Sequence, residues 1–170
     1  NTSVTSAPLL PRLHLVDGTY ELFRAHYAKR PDRPNKATLG VVASLGALLR
    51  DAQEAVTHLA VAFDNPIRSF RNELFAGYKS DEGVPPELRA QFDSVEQAVR
   101  ALGITVWSMD HHEADDAIAT AVTRFSPEVQ QIRILSPDKD FGQLLEGERV
   151  VLVDRARKKL ISETELRLRW

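Results

Sequence analysis

The sequence has no cysteine, which excludes disulfide bonds and thiolate metal sites. It has no apolar run long enough to span a membrane, and residues 1–12 lack the basic and apolar regions of a signal peptide. The formal net charge is only −2, so contact with nucleic acid would have to come from a local patch. These absences fit a cytoplasmic protein without membrane association.

Common phosphate-binding motifs are also absent. The chain contains neither a P-loop nor a G-x-G-x-x-G fingerprint. Residues 15–20, LVDGTY, are similar to the D-x-D-G-T signature of aspartyl-phosphate phosphatases. Leu15 stands where that signature has its nucleophilic aspartate, so the sequence excludes this covalent chemistry.

What the chain does contain is an alternation of short β-rich runs and helical patterns over 170 residues. The predicted strands lie at 13–16, 58–63, 104–109, 131–135 and 149–153. The predicted helices lie at 37–55, 85–103, 113–125 and 139–146, with a last short helix after a capping box formed by Ser162 and Glu165. This alternation predicts an α/β fold with a mostly parallel five-stranded sheet and helices on both faces.

Acidic residues follow all five predicted strands; Asp154, after the fifth, is interpreted as a turn residue, and those after the other four are the candidate site residues. They are Asp17, Asp64, Glu113, Asp115, Asp116, Asp138 and Asp140. Taken singly, each is also typical of a turn or of the first turn of a helix. Because the carboxyl ends of parallel strands share one edge of a sheet, we expect these carboxylates to gather in one crevice.

Gathered carboxylates repel one another and need positive charge nearby. Within these motifs the chain offers no matching set of basic side chains apart from Lys139. A bound divalent cation would supply this positive charge, and an all-oxygen ligand set suits Mg²⁺ or Mn²⁺. The sequence therefore predicts a metal site at this edge of the sheet.

Four segments in this order resemble the 5′-3′ exonuclease and flap-endonuclease family, which includes the N-terminal 5′-nuclease domain of bacterial DNA polymerase I. The segments are LHLVDGTYELFRAHYA at 13–28, AVAFDNPIRSFRNELFAGYKS at 60–80, LGITVWSMDHHEADDAIAT at 102–120 and ILSPDKDFGQLL at 134–145. The resemblance implies a PIN-like (resolvase-like) three-layer domain over residues 13–170, after a disordered tail at 1–12. It also implies an arch-like insert near 65–86.

The function that the resemblance implies is divalent-metal-dependent hydrolysis of DNA phosphodiesters at a free 5′ end or a 5′ flap, with two Mg²⁺ or Mn²⁺ ions in the complete enzyme. The seven carboxylates named above match the catalytic metal ligands of the family. Arg24, Arg71, Tyr78 and Lys79 are the expected nucleic-acid contacts, because basic side chains neutralise phosphates and aromatic rings stack on unpaired bases.

Beyond this region the family continues into a helix–three-turn–helix segment that grips duplex DNA, and in the polymerases a polymerase domain follows. We expect the chain, which begins without an initiator Met and ends at Trp170, to be a piece that lacks both. Two alternatives stay open: a compact PIN-type ribonuclease, and a catalytically weakened nucleic-acid-binding module. The long basic and aromatic insert argues against the ribonuclease.

Overall fold

The fold is taken from a computed structural model, which describes residues 11–29, 31, 33–64, 86–109, 114–155 and 157–169. The strands are β1 Arg12–Asp17, β2 His58–Asp64, β3 Thr105–Met109, β4 Gln131–Leu135, β5 Val150–Asp154 and β6 Lys159–Ile161. The helices are α1 Gly18–Tyr27, α2 Lys36–Arg50, α3 Pro86–Arg89, α4 Gln91–Ala101, α5 Ala114–Phe125 and α6 Glu163–Arg169. Short 3₁₀ helices lie at Ser126–Glu128 and Lys139–Leu144.

In the described part of the chain the strands form one sheet in the order β3-β2-β1-β4-β5-β6. The first five strands in this order are all parallel, and β6 returns antiparallel beside β5. The predicted α/β class and mostly parallel sheet are confirmed. The predicted count of five strands missed β6, a three-residue strand with two exposed residues and no apolar alternation.

The sheet separates two apolar layers, because successive side chains of a strand point to opposite faces. On one face Val16, Val61 and Phe63 pack with residues of α1, α2 and α4. On the other face Leu15 and Ile134 pack with residues of α5 and α6. Burying each such side chain contributes about 1.5–3 kcal/mol, so these layers hold the strand ends at fixed positions.

The five predicted strands are confirmed to within one residue at each end, and β1 begins at Arg12, inside the predicted tail. Three helical predictions need correction, and one helix was missed. Helix α1 was not predicted, and α2 ends at Arg50 rather than at residue 55. The segment 85–103 forms two helices, and the segment 139–146 forms a 3₁₀ helix. The Ser162 cap is confirmed, since its Oγ accepts the Glu165 N–H at 3.4 Å.

A buried ionic group joins the central strands β1 and β4 to the turn that follows α2. His14 on β1 is fully buried, and its Nε2 lies 2.9 Å from Oε2 of Glu54. The same Glu54 oxygen lies 2.9 Å from Nε of Arg133 on β4. The hydrogen bond from His14 and the Arg133 charge lower the pKa of Glu54. This group therefore ties the turn after α2 to the two central strands.

Among the described helices, none combines the length and the apolar character that crossing a membrane requires.

Candidate active site

The candidate site is built from the carboxyl ends of the central strands. Asp17 is the last residue of β1 and Asp64 the last residue of β2. The register pairs Asp17 with Ala62, so β2 runs two residues further toward this edge than β1 does. Both carboxylates thus emerge at one edge of the sheet, as the sequence predicted.

Asp17 is the buried member of the group, with only 9% of its surface exposed. Its pKa is raised to about 7, mainly by burial and further by the charges of Asp115, Asp64 and Asp138, while the hydrogen bond from the Tyr20 backbone N–H lowers it. Three of the predicted ligands therefore lie close enough to Asp17 for their charges to act on it. A cation placed among these groups would favour the ionised form of Asp17.

The turn after Asp17 links the first two carboxylates. The Tyr20 N–H donates to Oδ1 of Asp17 at 3.1 Å, which makes Asp17 the N-cap of α1. The Asp64 N–H donates to Oγ1 of Thr19 at 2.7 Å. Gly18 makes this turn possible, because a Cβ at this position would lie 2.5 Å from the ring of Phe63.

Helix α5 brings the third acidic motif to the same edge. Its first N–H, that of Ala114, donates to Oδ1 of Asp64. Asp115 and Asp116 occupy its first turn, where the helix dipole favours negative charge. Asp115 is half-buried and acts on Asp17, whereas Asp116 is exposed.

The fourth motif follows β4 through a short turn. The Asp138 N–H donates to Oγ of Ser136 at 3.1 Å, and Oδ1 of Asp138 accepts the Asp140 N–H at 2.9 Å. Asp138 thereby caps the 3₁₀ helix Lys139–Leu144. Asp138 is half-buried and faces Asp17, while Asp140 is exposed.

The donor set fits a hard divalent cation, since every functional atom it offers is a carboxylate oxygen. Within the described ranges, however, no three His, Cys, Asp or Glu side chains form a ready ligand cluster. Glu113, which the sequence places in the set, lies outside the described residues. Mg²⁺ commonly keeps several of its waters and binds proteins through one or two carboxylates. Spaced carboxylates at one edge of the sheet are compatible with that mode.

Of the four predicted nucleic-acid contacts, the structure describes only Arg24. Its side chain is 45% exposed on α1, and its Nη1 lies 3.9 Å from Oε2 of Glu21. Its charge also acts on Tyr20, the residue whose N–H donates to the carboxylate of Asp17. Arg71, Tyr78 and Lys79, like most of the predicted insert near 65–86, lie outside the described residues.

Two hydroxyl side chains of this edge were missed as functional residues in the sequence. Thr19 and Ser136 each accept a backbone N–H from an aspartate of the site. The available signal was the hydroxyl residue beside each acid, in D-G-T at 17–19 and in S-P-D at 136–138. Ser and Thr in such positions commonly bond nearby backbone groups.

Comparison with known proteins identifies the family. The chain belongs to the 5′-3′ exonuclease family and matches the model of its N-terminal resolvase-like domain over residues 12–170. It is 39% identical over 153 residues to the DNA polymerase I of Mycobacterium leprae (strain TN), covering 85% of this chain and 17% of the relative. It is 34% identical over 137 residues to the 5′-3′ exonuclease of Buchnera aphidicola subsp. Baizongia pistaciae, covering 77% of this chain and 45% of the relative. The chain thus spans less than half of the length of these relatives.

Solved structures share the fold. The T5 D15 protein co-crystallised with metal ions superposes with a TM-score of 0.68 at 17% identity, covering 93% of this chain and 60% of that one. The catalytic core of Rad2 in complex with a DNA substrate superposes with a TM-score of 0.59 at 18% identity, covering 94% of this chain and 50% of that one. At these identities the likeness establishes the resolvase-like α/β fold.

Proposed function

We propose that this chain is the metal-binding catalytic domain of a 5′-3′ exonuclease or 5′ flap endonuclease that hydrolyses DNA phosphodiesters. The observation that carries the proposal is the convergence of Asp17, Asp64, Asp115 and Asp138 at the carboxyl edge of the sheet, with the pKa of Asp17 raised to about 7. Membership of the 5′-3′ exonuclease family supports it.

The proposed cofactor is Mg²⁺ or Mn²⁺, and its proposed ligands are the seven carboxylates Asp17, Asp64, Glu113, Asp115, Asp116, Asp138 and Asp140. A divalent ion bound there would polarise the scissile phosphate, activate water and stabilise the leaving oxygen. The structural relatives support divalent-metal use: the T5 D15 protein was crystallised with metal ions, and a T5 5′-exonuclease with zinc. In this chain the all-carboxylate donor set favours Mg²⁺ or Mn²⁺ over zinc.

The proposed substrate is DNA with a free 5′ end or a 5′ flap. Arg24, Arg71 and Lys79 would neutralise backbone phosphates and Tyr78 would stack on an unpaired base. Rad2 and the T5 flap endonuclease have been crystallised with DNA, which supports DNA as the partner. In the parent protein a polymerase domain would follow, as the polymerase relatives suggest.

The test is a single-turnover assay on a 5′-flap DNA labelled at the flap and on the same sequence as RNA, with Mg²⁺, Mn²⁺ or EDTA. We expect metal-dependent release of the flap from DNA and no release in EDTA. Asp115→Asn keeps the side-chain shape but removes a ligand charge, so it should abolish cleavage while the far-UV circular dichroism spectrum is unchanged.

Two outcomes would replace the proposal. Faster cleavage of the RNA substrate would identify a PIN-type ribonuclease. Metal-independent DNA binding, combined with equal residual cleavage by the parent chain and Asp115→Asn, would identify a binding module without catalysis at this site.

A further inference from the structure

The Thr19 hydroxyl occupies a position where the β-sheet itself offers no hydrogen-bond acceptor. The ladder between β1 and β2 ends at the pair Asp17 and Ala62, because the chain turns into α1 after Asp17. Asp64 lies two residues further along β2, so its N–H on the β1 side is beyond the end of β1. It donates instead to Oγ1 of Thr19 at 2.7 Å, the second residue of α1.

The carboxylate of the same residue is held from the opposite side. Its Oδ1 accepts the N–H of Ala114, the first residue of α5. Asp64 is therefore fixed through its backbone by α1 and through its side chain by α5. Thr19, Asp64 and Ala114 form a hydrogen-bonded brace that spans three elements at the site edge.

We propose that Thr19 is a positioning residue for the metal site, which holds the backbone of Asp64 so that its carboxylate faces the carboxylate of Asp17. The inference rests on the proposed function, because it assumes that Asp64 is a metal ligand. Groups that orient a ligand without touching the metal commonly change metal affinity when they are removed. Thr19 itself is not a catalytic residue in this proposal.

A matched pair of substitutions separates the hydroxyl from the bulk of the side chain. Thr19→Val has nearly the same shape but cannot accept the Asp64 N–H, whereas Thr19→Ser keeps the acceptor. The control is Thr57→Val at the other end of the same strand pair. Thr57 Oγ1 accepts the Arg12 N–H at 2.7 Å and donates to the Arg12 carbonyl at 2.9 Å, so this variant loses comparable hydrogen bonds far from the site.

Two measurements are made on each folded variant. Electron paramagnetic resonance of free Mn²⁺ gives the metal affinity, and amide hydrogen exchange followed by NMR gives the protection of the Asp64 N–H. Thr19→Val should weaken Mn²⁺ binding by roughly 10- to 100-fold and speed exchange at Asp64. Thr19→Ser should restore both quantities, and Thr57→Val should lower the melting temperature with unchanged Mn²⁺ affinity.

Three results would overturn the inference or its basis. If Thr19→Val loses Asp64 protection but binds Mn²⁺ as the parent chain does, the brace does not position a ligand. If Thr57→Val weakens Mn²⁺ binding equally, the effect is a general loss of stability. If the parent chain itself binds no Mn²⁺, the proposed function fails first and the positioning role with it.

Discussion

Gly18 lies so close to Phe63 that a Cβ at position 18 would be 2.5 Å from Cε1 of the ring. Phe63 is fully buried in the layer between the sheet and α1, so the ring has little room to move. Gly18→Ala should therefore lower the free energy of unfolding by about 1–3 kcal/mol, the usual cost of overpacking a core. Urea denaturation followed by circular dichroism measures this change.

The control for Gly18→Ala is Gly46→Ala in the middle of α2. A Cβ there would meet only the flexible end of Arg50, at 3.3 Å. Because alanine favours a helix interior over glycine by about 1 kcal/mol, Gly46→Ala should leave stability unchanged or raise it. If Gly18→Ala leaves the free energy of unfolding unchanged, β2 and α1 can move apart to admit the Cβ without loss of stability.

Divalent metal should stabilise the folded chain. An ion that binds only the folded state raises the melting temperature by mass action, so millimolar Mg²⁺ or Mn²⁺ should raise it in differential scanning calorimetry at pH 8. Asp17→Asn should lose this increase. Without metal, Asp17→Asn should be more stable than the parent chain at pH 8, because the pKa of Asp17 is raised and its ionised form is disfavoured in the fold. If the metal raises the melting temperature of Asp17→Asn as much as that of the parent chain, the ion binds elsewhere.

Arg24 is expected to contribute to DNA binding through charge alone. Arg24→Ala should weaken binding to flap DNA and reduce the slope of log K against log salt by about one. Arg100→Ala is the matched control, because Arg100 is equally exposed and pairs with a buried glutamate, Glu96, in the same manner. Fluorescence anisotropy over a salt series gives both slopes. If the slope of log K against log salt is the same for Arg24→Ala and Arg100→Ala, Arg24 does not contact DNA.

Glu54 should make stability depend on acid pH. Its pKa is lowered in the fold, so the ionised form stabilises the protein above its ordinary value of 4.5, and this contribution is lost as the pH falls through the folded pKa. Glu54→Gln should cost about 1.5–3 kcal/mol at pH 7, the range for hydrogen bonds to charged groups, and the difference should be smaller at a pH well below 4.5, where Glu54 becomes protonated. Urea titrations at both pH values measure it.

The exposed pair of Glu163 and Arg167 provides the comparison for Glu54. Nη2 of Arg167 lies 2.6 Å from Oε1 of Glu163, but the arginine side chain is 78% exposed. Glu163→Gln should therefore cost less than about 1 kcal/mol at pH 7. A loss as large as that of Glu54→Gln would mean that burial of the Glu54 group adds no stability.

Strands β2 and β5 could be predicted because most of their residues are buried and form continuous apolar runs. Helix α1 could not, because its buried side includes a charged residue. Glu21 is 7% exposed, its Oε2 lies 3.5 Å from the Ser44 hydroxyl of α2, and burial raises its pKa. A glutamate in the interior breaks the apolar pattern that marks a helix, and only the partner helix accounts for its place.

The carboxylates of the site could be placed on one edge from the sequence, because parallel strands end together. Their different environments could not. Asp17 is buried while Asp116 and Asp140 are exposed, and the sequence gives no sign of this order. The role of Thr19 also depends on register, since only the two-residue offset between β1 and β2 leaves the Asp64 N–H without a strand acceptor.

The central place of β1 sets the timing of assembly during synthesis. β1 is made well before its neighbour β4, where Leu13 pairs with Ile132 far along the chain. At the usual rate of translation, on the order of ten seconds separate the synthesis of these two residues. During that interval β1 has no β4 beside it, and Asp138 has not yet been made. A growing chain thus cannot present the four converging carboxylates until most of the domain has been synthesised, which delays any hydrolytic activity until the fold can close.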